Sequence, residues 1–81
     1  MSNTTDENLS NPRSTGTSNK HYDLVSILYH SLEGAQTYAR YVEDAGREGD
    51  KELAQFFLQA QQEENNRAEK AKQLLSARIN Q

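Results

Sequence analysis

Apolar side chains recur at helical intervals along two stretches of this chain, separated by a short link that contains two glycines. In the first stretch Val25, Leu28, Leu32, Ala35, Ala39 and Val42 alternate steps of three and four. That spacing is the seam of two packed helices. Leu24, Ile27, Tyr38, Tyr41 and Ala45 form a second set beside it. Together the two sets make a stripe wider than a single partner helix covers. Ser31, Gly34 and Ala35 are small and would let another backbone approach closely. The pattern predicts a helix from about His21 to Ala45. Ser18 or Asn19 is its expected cap, and Asp23 is expected in the first turn, where a carboxylate suits the positive end of the dipole.

In the second stretch Phe56, Phe57, Ala60, Ala68, Ala71, Leu74 and Leu75 keep helical spacing, which predicts a helix from Lys51 to roughly Arg78. Phe56 and Phe57 are its expected anchors against the first helix. Lys70, Lys72 and Arg78 gather toward its negative end. The link Gly46-Arg47-Glu48-Gly49-Asp50 supplies a glycine for a left-handed C-cap and Asp50 as the next N-cap, with Glu52 in the following turn. A link this short makes the helices antiparallel neighbours. Each would be about 37 to 42 Å long at 1.5 Å per residue.

The middle of the second stripe is interrupted by charge. Glu64 points within about 20° of Leu53 and Ala71, and Arg67 stands three residues further on. A carboxylate on an apolar stripe must be paired, bind a cation or stay wet. A Glu64–Arg67 ion pair, within one helix or across a symmetry axis, is the plainest outcome. It would fix register more than it would add stability.

Residues 1–19 are dominated by Ser, Thr and Asn, and Met1 and Leu9 are their only sizeable apolar side chains. Such a segment cannot offset its ordering entropy by burial, so we expect a disordered tail followed by a helical hairpin over residues 20–81.

Composition sharpens this picture. The 81 residues are 33% hydrophobic, a low share for a self-sufficient core, and there is no cysteine to staple one. A lone hairpin would leave much of its apolar stripe exposed. We therefore expect an all-α antiparallel two-helix hairpin that dimerises into a four-helix bundle, or forms a higher even homo-oligomer. The net charge of −3 argues against nucleic acid as a partner, and no apolar run approaches the length of a membrane span. The first residues lack a basic-then-apolar export pattern, so a cytoplasmic location is the expectation. No phosphate loop is expected, because no Gly-Lys-Ser/Thr step occurs, and no nucleophilic triad is expected either.

The run LEGAQTYARYVEDAGREGDKELAQFFLQAQQEENNRAEKAKQLL, Leu32 to Leu75, resembles half of a ferritin-like bundle. It is similar to rubrerythrin-type domains and to the short ferritins built from two-helix hairpins. The likeness is carried by a glutamate in the first helix, the EGD–ELA–FF turn and helix start, and a Glu-rich step before an Ala-Lys-Leu run. The resemblance implies a metal site holding iron or another divalent ion, completed by a second set of ligands from symmetry. Glu33 matches the first-helix ligand and Glu64 the bridging glutamate, with Glu63 in its place if the register shifts. At the histidine of the family's Glu-x-x-His step this chain has Arg67, or Asn66 counted from Glu63. Arginine stays protonated and cannot ligate a metal.

Two functions follow as expectations. One is a small ferritin-like protein that binds iron through Glu33, Glu63 and Glu64. The other is a non-catalytic oligomerisation or adaptor module that kept the scaffold and lost the metal. His30 lies three residues before Glu33 but opposite the seam, and is expected to be exposed; His21 is expected at the helix start. Tyr22, Tyr29, Tyr38 and Tyr41 are expected at helix edges with wet hydroxyls.

Overall fold

The computed structural model describes residues 19–80. The expected disordered tail lies outside the described residues, except for Asn19, which opens the first helix. Two helices make up the fold: α1, Asn19–Arg47, and α2, Lys51–Ile79, each of 29 residues. They pack against one another along their length as an antiparallel hairpin.

The turn between them is built from the anticipated residues. Gly49 takes φ 76°, the left-handed conformation that a Cβ disfavours. The Asp50 amide donates to the Ala45 carbonyl at 3.0 Å, and the Gly49 amide donates to that of Gly46, also at 3.0 Å. This is the paired closure of a Schellman motif, and it satisfies two carbonyls at the end of α1. Gly46 itself is helical. Asp50 then starts α2, its Oδ1 accepting from the Leu53 amide at 3.1 Å, with Glu52 in the first turn. Arg47 and Arg78 occupy the last turns of the two helices, where a cation suits the dipole. Because α1 begins at Asn19, Asp23 falls beyond its first turn, which holds no acidic residue.

The seam differs from the one the large apolar residues suggest. Ser31, Ala35 and Ala45 are the buried residues of α1, flanked in the same alternating register by half-buried Leu24, Leu28, Tyr38 and Val42. Val25 and Leu32, expected in the seam, are 50% and 48% exposed. On α2 the facing positions are Ala54, Phe57, Gln61, Glu64, Ala68, Ala71, Leu75 and Arg78, with Ala68 and Ala71 buried. The physical reason is helix separation. By the register that sets Gly34 against Glu64, Ser31 and Ala68 stand at one level, with Ala35 one turn to one side and Ala71 one turn to the other, and their short side chains let the backbones approach. Every fully enclosed side chain is therefore small, and no large one is completely buried among the described residues.

Register is constant along the pair. Gly34 faces Glu64 and Tyr41 stacks on Phe57, and both pairs have the same index sum. Both contacts also lie on one side of the hairpin. By helical geometry Ile27, Gly34 and Tyr41 stand about 60 to 100° to one side of the α1 seam, and Val25, Leu32 and Ala39 about as far to the other. The hairpin thus has two broad faces. One carries Ile27, Gly34, Tyr41, Leu53 and Phe56. The other carries a groove lined by Tyr29, Leu32, Ala35 and Ala39 together with Glu33, Gln36, Gln61 and Asn65. Phe57 packs on α1 as expected, but Phe56 does not: its ring touches that of Phe57 and is otherwise 63% exposed.

The candidate site around Glu64

Glu64 sits at mid-length of the hairpin, on the α2 stripe between Gln61 and Ala68. Its side chain lies against α1 at Gly34. A Cβ built on that glycine would stand 3.5 Å from Glu64 Cγ and 3.6 Å from its Cδ. An alanine at position 34 would thus make ordinary van der Waals contact with the Glu64 side chain. Ser31 and Ala35 complete the small-residue patch on α1 at this level. Small residues here make room for a longer polar side chain between the helices.

The Glu64 carboxylate is already paired. Arg67 Nη1 lies 2.8 Å from its Oε1, one turn further along the same helix. The Glu64 side chain is 23% exposed and that of Arg67 52%. Such a half-wet i,i+3 pair contributes roughly 0.3–0.5 kcal/mol in an isolated helical hairpin. Its guanidinium fills the position that a cation would take beside this carboxylate.

The other candidate ligands are elsewhere. Glu33 is exposed on the outside of α1, about 180° from the Leu24 direction by helical geometry. It accepts a hydrogen bond from the Tyr29 hydroxyl at 3.3 Å and stands 3.7 Å from His30 Nδ1. His30 is exposed and packs edge-on to Tyr29. Glu63 is exposed and accepts from Gln59 Nε2 at 3.5 Å. Among the described residues, no group of three or more His, Cys, Asp or Glu is placed to hold a metal ion. One hairpin thus separates Glu33 from Glu64. The donor set that the resemblance implies does not fit together within a single chain.

Two features were not read from the sequence. Gly34 is one of several small residues on α1, and it is the one against which the Glu64 side chain lies. Its signal was positional: a glycine in mid-helix with no turn to make costs stability unless something approaches it. The second is the aromatic cluster at the turn end, where half-buried Tyr38 and Phe57 and exposed Tyr41 and Phe56 run ring to ring. It borders a cleft lined by Tyr41, Ala45, Leu53 and Phe57 and by the acidic Asp44 and Glu48. His21 is half-buried at the far end of the hairpin, and its Nε2 has no hydrogen-bond partner.

Compared with family models, curated proteins and solved structures, the chain finds no match. Among the described residues no helix is long and apolar enough to cross a membrane.

Proposed function

We propose that this chain is a non-catalytic self-association module: a helical hairpin on a ferritin-like plan that completes its core with a second copy, as a four-helix bundle. The observation that carries this reading is the ion pair between Glu64 and Arg67 at 2.8 Å. The one carboxylate on the inner stripe is committed to an arginine at the position where the resembling families place a histidine ligand. Support for assembly comes from burial. Four alanines and one serine are the whole enclosed set among the described residues, while Ile27, Tyr41, Leu53 and Phe56 remain exposed. A core of that kind is too small to hold a helical hairpin by itself.

Aerobic loading with ferrous iron, followed by desalting and iron determination, tests the reading. We expect no stoichiometric iron on the wild type, and increased metal retention in Arg67→His. Stoichiometric iron that disappears in Glu64→Ala would overturn it. It would favour the second reading, a carboxylate metal centre in which an assembled oligomer brings Glu64 together with Glu33 or Glu63. That reading is kept alive by Glu64 facing inward on the stripe, beside Gly34.

A further inference from the structure

The hairpin is electrically polar along its length. The Gly34–Glu64 contact divides it near its middle. The turn half, residues 34–64, holds seven carboxylates against three cations, a net charge of −4. The open half, residues 19–33 and 65–80, holds five cations against three carboxylates, a net charge of +2 with both histidines neutral. We propose that two copies pack side by side with their hairpins antiparallel, the acidic turn half of each beside the basic open half of the other. This inference rests on the self-association proposed above and adds its direction.

The polarity survives the pairing of charges within the chain. Asp44 with Arg47 and Glu69 with Lys72 each lie inside one half and leave its balance unchanged. The Glu64–Arg67 pair spans the division, and setting it aside leaves −3 and +1. Residues 1–18 carry Asp6, Glu7 and Arg13, a net −1 that joins the open half. On every count the turn half holds the excess of negative charge.

Apolar burial does not choose a direction. Exposed large apolar side chains occur in both halves, among them Tyr41, Leu53 and Phe56 in one and Val25, Ile27 and Leu32 in the other. They also occur on both broad faces, so the direction is the same whichever face is covered. Charge decides it. Packed helices lie about 8–10 Å apart, close to one screening length at physiological salt, so halves that face one another interact. Parallel packing sets −4 beside −4 and +2 beside +2. Antiparallel packing sets −4 beside +2, twice. A two-fold axis across the hairpin makes the second contact the repeat of the first, so both ends are matched in one closed pair. A parallel pair slipped by half its length would also bring opposite halves together. It would do so over only about 20 Å of a helix about 43 Å long, and would leave an unmatched half at each end.

The experiment uses the full-length chain, read by sedimentation velocity and circular dichroism. Glu43→Lys, Glu48→Lys and Glu63→Lys together bring the turn half to +2. Lys20→Glu, Lys70→Glu and Lys72→Glu together bring the open half to −4. We expect each triple variant to self-associate at least about tenfold more weakly than the wild type. The chain carrying all six substitutions has the polarity inverted, and its association is expected to return to within about threefold of wild type. Raising salt from about 0.1 M to about 1 M cuts the screening length from about 10 Å to about 3 Å, and should weaken the wild-type pair at least about threefold. Parallel packing predicts the reverse for the turn-half variant and for salt, since both relieve its repulsion. Tighter or unchanged association in either case, or no recovery in a helical six-substitution chain, would overturn the direction and leave self-association standing. A monomeric wild type would remove both. Should a triple variant fail to fold, spin labels at Asn80→Cys in the otherwise wild-type chain decide. The two labels should lie about 40 Å apart, and a separation below about 30 Å would contradict antiparallel packing.

Discussion

Replacing Ala68 by leucine tests the observed seam directly. Ala68 is 2% exposed and, by the register that sets Gly34 against Glu64, stands at the level of Ser31, itself 3% exposed. Leucine adds three carbons. If space existed, their burial would stabilise the fold by roughly 2 kcal/mol, at about 0.8 kcal/mol per methylene. Ala68 is already almost fully enclosed, so the helices must separate or the side chain must leave its preferred rotamer. Overpacking of this kind costs about 1–3 kcal/mol. Urea unfolding followed by circular dichroism, at one fixed protein concentration, is the assay. With a slope of about 1 kcal/mol per M for so small a protein, the midpoint should fall by roughly 1–3 M. The control is Leu32→Ala. Leu32 belongs to the row that apolar spacing alone selects, yet it is half exposed. Its removal should cost about 1 kcal/mol or less, against about 2–5 kcal/mol for a buried leucine. An unchanged or higher midpoint for Ala68→Leu, together with a large loss for Leu32→Ala, would refute the seam.

Three further outcomes are expected. Asp50→Ala removes the side chain that accepts from the Leu53 amide, and should cost about 1 kcal/mol in thermal or urea unfolding. Gly49→Ala places a Cβ at φ 76° and should cost about 1–2 kcal/mol, whereas Gly46→Ala, at a helical position with open space around it, should stabilise slightly. Phe56→Ala removes a ring that is 63% exposed in one chain, so helicity at high concentration should persist. Self-association should nevertheless weaken by about tenfold or more, equivalent to at least 1.4 kcal/mol, as read by sedimentation equilibrium.

The two helices and their turn were legible because each end carries its own chemistry. Gly49 and Asp50 mark a stop and a start whatever the rest of the chain does, and α2 begins at the expected Lys51. The seam was not legible to the same degree. Reading by hydrophobicity favours Val25 and Leu32 over Ser31, but packing favours the side chains that let backbones meet, and a buried serine satisfies that condition. Phe56 misled for a related reason. Adjacent residues on a helix diverge by about 100°, so Phe56 and Phe57 cannot both face α1.

At the site, the inward direction of Glu64 and its pairing with Arg67 were readable from spacing, because both depend only on one helix. The approach of Glu64 to Gly34 depends on the register between helices, which spacing within either one does not determine. The resemblance to metal-binding hairpins selected Glu33, Glu63 and Glu64 by sequence position. In the folded chain Glu33 is held on the outer surface by Tyr29 and His30, and Glu63 by Gln59. What these glutamates share is a motif, and within one hairpin they do not share a volume.

The central claim is that the hairpin is half of a core. Sedimentation equilibrium of the wild-type chain across a dilution series, with helicity measured on the same samples, tests it most directly. The account predicts a species of twice the chain mass that dissociates on dilution, with helix lost as it does so. A fully helical single chain, unchanged from high to low micromolar concentration, would contradict it.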